Sequence, residues 1–219
     1  LLAQPRLTLP AVAPYTTPAG EWSVLTSALW ANSFSWTQDV PGEEPEDRRF
    51  LIDGEALALD LTVRRGLGAH FDAGVRIPLQ WRGGGALDGF IDWWHRLVNV
   101  PDGDRPLFLQ DAFRVEGKTT DGGTFSWNDQ RGFGLGDVEL ESRYRIRDGR
   151  SDSLSAALVA RVSLPTGTGP FDGHGLGAGA QLVTDLPLSG SFDIYGGVGF
   201  TAQGSGPARG VEYTPVRAH

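Results

Sequence analysis

The segment from His70 to Trp81 alternates apolar residues with polar or small ones without a gap. The apolar residues occupy every odd position, at Phe71, Ala73, Val75, Ile77, Leu79 and Trp81. Because successive side chains of a β-strand point to opposite faces, this pattern predicts a strand with one apolar and one polar face. Its length matches the roughly nine to eleven residues with which a tilted strand crosses a bilayer. Pro78 predicts that regular pairing weakens near the end of the segment.

The same period of two recurs along the chain. It is found in the segments 22–36, 56–63, 137–147, 154–164, 175–182 and 192–201. In the segment 137–147 the charged residues share one face, and Val138, Leu140, Tyr144 and Ile146 share the other. The repeated pattern predicts an all-β chain of about eight antiparallel strands, each with an apolar and a polar face.

The connections between these segments alternate in length. Short turns fall at 65–69, 147–153 and 187–190, and longer ones at 38–49, 82–136, 165–173 and 203–210. An up-and-down barrel of the outer membrane has tight periplasmic turns and longer extracellular loops. We therefore expect an antiparallel up-and-down transmembrane β-barrel, a single domain over residues 1–219, in the bacterial outer membrane with its N-terminus on the periplasmic side.

Two sets of side chains follow from this arrangement. Aromatic residues near the strand ends are expected to anchor the barrel at the lipid headgroups, with ordinary core packing as the alternative. They are Trp22, Trp36, Phe71, Trp81, Tyr144, Phe192 and Phe200. Charged residues on the opposite faces are expected to line the lumen, where they either seal a narrow interior by pairing or border a wet pore. They are Asp60, Arg64, Asp72, Arg76, Asp137, Glu139, Glu141, Arg143, Arg145 and Arg161. The small interior of about eight strands favours sealing.

The region 82–136 is too long to lack structure and is expected to form an extracellular loop with a helix and a hairpin. Apolar residues at helical spacing predict a short amphipathic helix over 86–98, with Asp88 as its N-cap. The helix could plug the barrel mouth, lie on the outer leaflet or pack against another loop. Residues 112–118 and 124–128 flank a turn sequence and predict a hairpin.

The composition disfavours several classes of function. A net charge of −8 argues against nucleic acid as a partner, and the absence of cysteine removes disulfides and thiolate chemistry. The histidines at 70, 95, 174 and 219 lack metal-type spacing, and no serine nucleophile sequence is present. We therefore expect no catalytic residue, metal or cofactor. The acidic loop 43–47 is expected to be solvated, with divalent cations bridging lipopolysaccharide as the alternative.

Four phrases together resemble a family of bacterial outer-membrane barrel proteins of unknown function. They are Gly-Ala-Leu-Asp-Gly-Phe-Ile-Asp-Trp-Trp-His-Arg at 85–96, Gly-Leu-Gly-Asp-Val-Glu-Leu at 134–140, Ser-Leu-Pro-Thr-Gly at 163–167 and Tyr-Gly-Gly-Val-Gly-Phe at 195–200. The resemblance covers most of the chain and implies the barrel fold and its location, but no activity. It also implies further strands, so we expect a chain truncated at its C-terminus. At the other end, the small residue Ala3 before Gln4 suits cleavage by signal peptidase, so we expect Leu1–Ala3 to be the remnant of a secretory signal.

The sequence favours an outer-membrane barrel with a structural or passive, porin-like transport role, and not an enzyme. Its expected partners are outer-membrane lipid, lipopolysaccharide and small solutes. Two alternatives remain open. One is a secreted soluble β-barrel or sandwich that binds a small apolar ligand. The other is an outer-membrane enzyme that modifies lipid.

Overall fold

The computed structural model describes residues 12–38, 48–101, 104–119, 122–149, 153–173, 175–189, 192–204 and 216–218. Most of them form antiparallel β-strands, so the predicted all-β antiparallel fold is confirmed, whereas its crossing of a membrane stays a prediction. The strands are β1 (Trp22–Gln38), β2 (Arg48–Gly66), β3 (Phe71–Gly83), β4 (Arg114–Lys118), β5 (Thr124–Ser126), β6 (Gly132–Leu135), β7 (Glu139–Arg147), β8 (Ser155–Ser163), β9 (Gly177–Ser189), β10 (Phe192–Gln203) and β11 (Val216–Ala218). The helix α1 spans Leu87–Val98. No helix in this part of the chain is long and apolar enough to cross a membrane.

Most strands pair with their neighbours in the chain. Among the described residues the sheet order is β11-β10-β9-β8-β7-β3-β2-β4-β5, while β1 pairs with β2 and β6 pairs with β3. Strands β7, β8, β9 and β10 pair antiparallel, with Glu141 opposite Arg161 and Val159 opposite Gln181. The predicted hairpin is confirmed, because β4 and β5 pair antiparallel, and β4 also pairs with β2.

The contacts within the chain divide it into two compact units. Unit 1 comprises Ala28–Leu59 and Leu79–Gly134. Of the described residues, unit 2 comprises 12–27, Asp60–Pro78 and those from Leu135 onwards. Strands β1, β2, β3 and β6 therefore contribute residues to both units, and the helix and the β4–β5 hairpin belong to unit 1.

Strands β7, β8 and β9 of unit 2 bury their polar faces and expose their apolar ones. On β8, Ser155 and Arg161 are buried, whereas Leu158 is 46% exposed. On β7, Glu141 is buried and Tyr144 is exposed. The apolar core of the unit is small, and consists of Ala157, Val159 and Val183 with Val12 packed against them. The two faces predicted from the alternation are therefore present, with burial reversed from that of a water-soluble sheet.

Strand β3 continues past Pro78 to Gly83, but its register with β7 ends at Arg76. The Pro78 carbonyl accepts a hydrogen bond from the Gly136 N–H at 2.8 Å. Two local predictions were wrong. Helix α1 begins after Ala86 without a side-chain cap, so Asp88 is not its N-cap. Strand β9 extends to Ser189, so residues 187–189 of the predicted turn at 187–190 belong to the strand.

Candidate functional site: a buried ionic network

Glu141 is the centre of an ionic network on the buried face of unit 2. The Nε atoms of Arg64, Arg161 and Arg143 donate to its carboxylate oxygens at 2.8, 2.6 and 3.0 Å. The side chains of Glu141, Arg143 and Arg161 are each at most 6% exposed. Because the three arginines come from β2, β7 and β8, one carboxylate joins three strands. Such charge-assisted hydrogen bonds are strong, and removal of one partner leaves buried charge uncompensated.

A second group of charges surrounds Arg76 on β3. Its Nη1 atom donates to Glu139 and its Nη2 atom to Asp60, each at 2.8 Å. This arginine therefore bridges β2 and β7 much as Glu141 bridges its three arginines. Cross-strand neighbours on one face of a sheet are close enough for such pairs. The polar face is thus crossed by alternating positive and negative groups.

Asp137 holds a loop against the start of β7. Its Oδ1 atom accepts a hydrogen bond from the Gly167 N–H at 2.8 Å, and the Val138 N–H donates to the Thr166 hydroxyl at 2.8 Å. Burial raises the pKa of Asp137 above its ordinary value, although the Gly167 N–H opposes that rise. Two of the phrases that carried the resemblance, at 134–140 and 163–167, therefore meet in space.

The chain segment Val12–Pro18 lies along the same polar face, which the sequence did not indicate. Arg143 donates through Nη1 to the carbonyl oxygens of Ala13 and Tyr15 at 3.2 and 3.3 Å. The Thr17 N–H donates to Asp72 at 2.7 Å. The Tyr15 hydroxyl donates to Asp185, and this hydrogen bond raises the pKa of the tyrosine. The segment shows no period of two, so its position depends entirely on distant partners.

Most of the charged residues predicted to share a face are brought together in unit 2. Arg145 is set apart, because its guanidinium donates to Asp148 at 2.7 Å and to the Ala69 carbonyl at the turns. Asp185 of β9 is buried on the same face, where the sequence also predicts it. These contacts show pairing among the predicted residues, whereas a role in lining a lumen stays a prediction.

The predicted aromatic residues fall into two groups. Those with exposed side chains are Trp22, Phe71, Tyr144, Phe192 and Phe200. Trp36 and Trp81 are half-buried, and the ring of Trp36 packs edge-on against Phe108, with centroids 5.2 Å apart. Their anchoring role at a membrane stays a prediction.

Unit 1 contains a separate buried cluster, which sequence reasoning missed. Arg105 donates to Asp53 at 2.6 Å and also to Asp88 of α1. Glu55, which is 0% exposed, accepts hydrogen bonds from the Trp30 indole at 2.8 Å and from the Leu87 N–H at the start of the helix. The polar end of α1 is thereby fixed to β1 and β2.

The other side of α1 is apolar and exposed. Its exposed side chains are Phe90, Trp93, Trp94, Leu97 and Val98. The helix therefore repeats the reversal seen in the strands, with a carboxylate held inside and large apolar groups outside. In the sequence its amphipathic spacing was evident, but the direction of its apolar side was not.

Several carboxylates on the polar face have an oxygen without a hydrogen-bond partner. One oxygen each of Asp60, Asp72, Asp137, Glu139 and Asp185 is buried without a hydrogen-bond partner. Buried carboxylate oxygens require a donor or a cation. Guanidinium groups stay protonated and do not exchange protons with these acids. No cluster of three metal-ligating side chains occurs in the described ranges. The acidic loop 43–47 and His174 and His219 lie outside those ranges.

These features define an antiparallel β-sheet protein with an ion-paired buried face and an apolar exposed face. The chain belongs to the family described as "Protein of unknown function (DUF3187)", whose family model matches residues 1–210. The resemblance to an uncharacterised family is therefore confirmed. A comparison with curated proteins gives no match.

Proposed function

We propose that this chain is a β-barrel of the bacterial outer membrane, with the apolar faces of its strands in lipid and its ionic network lining a lumen. The reversal of burial is the observation that carries the proposal. Among the described residues, 33 large hydrophobic side chains are exposed, whereas 8 hydrophobic residues are buried. Each large apolar side chain left in water forgoes about 1.5–3 kcal/mol of burial. Acyl chains remove that cost, because they cover the side chains.

The ionic network supports a structural role or a controlled passive passage of small solutes. A permanently wet pore does not need its wall charges to pair with one another, whereas Glu141 and Arg76 are engaged with opposite charges at hydrogen-bonding distances. The narrow interior of a small barrel also favours such sealing. The proposal includes no covalent step, and its partners are outer-membrane lipid, lipopolysaccharide and small solutes.

Helix α1 fits the same proposal as an element at the lipid headgroups. Tryptophan is enriched at membrane interfaces, and Trp93 and Trp94 are both about half exposed on this helix. Asp88 keeps its polar side on the protein through hydrogen bonds from Asn32 at 2.9 Å and from the Asp111 N–H at 2.7 Å. Of the three positions considered for the helix, contact with the outer leaflet leaves none of these apolar groups in water.

Two exposed leucines test the proposal against a water-soluble fold. Leu158 lies in the middle of β8, and Leu109 lies in a loop outside the strands. We expect Leu158→Arg to reduce folding into lipid vesicles by about 2–4 kcal/mol and Leu109→Arg to cost at most about 1 kcal/mol. Folding is measured by heat-modifiable gel mobility. If both variants fold equally well, or if the protein folds and stays dissolved without detergent, the proposal is wrong.

A further inference from the structure

We propose that residues Val12–Pro18 form a peptide plug on the polar face of unit 2, and that this face is a binding site for an extended peptide. This inference rests on the proposed function, because a plug closes a passage only if the chain forms a barrel. The segment is not loosely placed: Pro14 and Thr16 are buried, and Val12 packs on the small apolar core.

The contacts between plug and sheet match the polar groups of a peptide backbone. The carboxylate of Asp72 accepts a hydrogen bond from the Thr17 N–H. The guanidinium of Arg143 donates to the carbonyl oxygens of Ala13 and Tyr15, which are two residues apart. One side-chain contact, from the Tyr15 hydroxyl to Asp185, adds selectivity. Donors therefore meet acceptors along the segment, and the site recognises an extended chain by its N–H and C=O groups.

Arg143 couples the plug to the ionic network. The same guanidinium that donates to Ala13 and Tyr15 also donates to Glu141. If the segment leaves, Arg143 loses two acceptors but keeps Glu141, so the Glu141 network survives while the space above it opens. Asp72 and Asp185 lose the donors that the plug supplies, and water entering that space takes their place. The plug can therefore come away without breaking the Glu141 ion pairs, as a reversible closure requires.

The plug segment passes directly over Gly66 at its C-terminal end. At Gly66 a Cβ atom would lie 2.0 Å from the Pro18 carbonyl oxygen and 2.5 Å from that of Thr17. Backbone hydrogen bonds at 2.8 and 3.0 Å join Gly66 to Gly20 and Glu21, and fix the path beyond that crossing. Only glycine permits this close approach of two backbones. Gly68, in the following turn, has open space around its Cβ position.

This pair of glycines gives the test a matched control. Gly66→Ala and Gly68→Ala proteins are folded into vesicles and planar bilayers, and ion flux is recorded. We expect the wild-type and Gly68→Ala proteins to be mostly closed and Gly66→Ala to be open. Tyr15→Phe should raise the open fraction by roughly tenfold or more, which is the effect of losing one hydrogen bond to a charged group. Tyr144→Phe removes an exposed phenol on the apolar face of β7 and should leave the open fraction unchanged.

A synthetic peptide with the sequence of residues 12–19 provides the second measurement. Added to the Tyr15→Phe protein, whose Gly66 still leaves room for Thr17 and Pro18 of the peptide, it should restore closure, and the peptide with phenylalanine in place of Tyr15 should do so less well. Membrane insertion is checked separately by heat-modifiable mobility. If Gly66→Ala inserts but remains as closed as the wild type, or if the peptide has no effect on an open variant, the plug is refuted. If no variant inserts, the proposed function itself is refuted.

Discussion

Replacement of Glu141 by glutamine should be among the most damaging single changes in the protein. The carboxylate accepts hydrogen bonds from three arginines, and the amide presents an NH2 group to at least one guanidinium. The net charge of the four groups rises from +2 to +3 in a buried site. Breaking a buried ion pair by removing one partner costs about 3–5 kcal/mol. We therefore expect Glu141→Gln to lower the free energy of unfolding by about that amount.

Asp148→Asn is the matched control, because Asp148 pairs with Arg145 but its side chain is 39% exposed. Exposed pairs contribute about 0–1 kcal/mol. Both variants are unfolded with guanidinium in detergent micelles, together with Glu141→Gln/Arg161→Gln. The double variant should be at least about 1 kcal/mol more stable than the sum of the single effects predicts, since it removes excess positive charge. Equal small losses in Glu141→Gln and Asp148→Asn would refute the central role of Glu141.

Two further outcomes follow from the geometry. The hydrogen bond from Tyr15 to Asp185 raises the pKa of the tyrosine, so it should stabilise the plug fully below the ordinary tyrosine pKa. This stabilisation should be lost as the pH rises through the raised pKa, and flux should then show the protein opening. Alkaline opening that persists unchanged in Tyr15→Phe would contradict this role of Tyr15. Gly85 has φ +69°, and a Cβ atom there would lie 1.9 Å from Glu55 Oε2, whereas at Gly89 a Cβ atom meets nothing within 4 Å. Gly85→Ala should therefore release α1 and speed proteolysis of the region 84–111. Gly89→Ala should instead stabilise the helix by about 0.5–1 kcal/mol. Equal proteolysis rates for the two variants would argue against the anchoring of α1 by Glu55.

The strands and their two faces were predictable because their signal is local. Alternation over 154–164 was enough to separate Leu158 from Arg161, and the turn lengths separated one strand from the next. The same reasoning predicted that Glu139, Glu141 and Arg143 share a face. It could not predict which arginine pairs with which acid, because pairing depends on the register between strands.

The plug and the anchor of α1 were not predictable for a different reason. Residues 12–18 have no periodicity, and their partners Asp72, Arg143 and Asp185 are far away in the sequence. Asp88 was assigned to an N-cap because its local sequence suited one, but it lies inside the helix and accepts hydrogen bonds from Arg105 and Asn32 of other parts of the chain. Long-range polar contacts of this kind override local preferences and leave no local pattern.

The central claim is that the apolar side of the strands touches lipid. The chain has no cysteine, so a spin label can be attached to a single cysteine introduced at a chosen position. The two positions are Leu158, whose side chain is 46% exposed, and its neighbour Val159, which is 0% exposed. In vesicles, the account predicts that the label at 158 collides often with oxygen dissolved in lipid and rarely with a water-soluble nickel complex, while the label at 159 is shielded from oxygen in the lipid. Strong collisions of the label at 158 with the nickel complex would show that this face is in water, and would contradict the account.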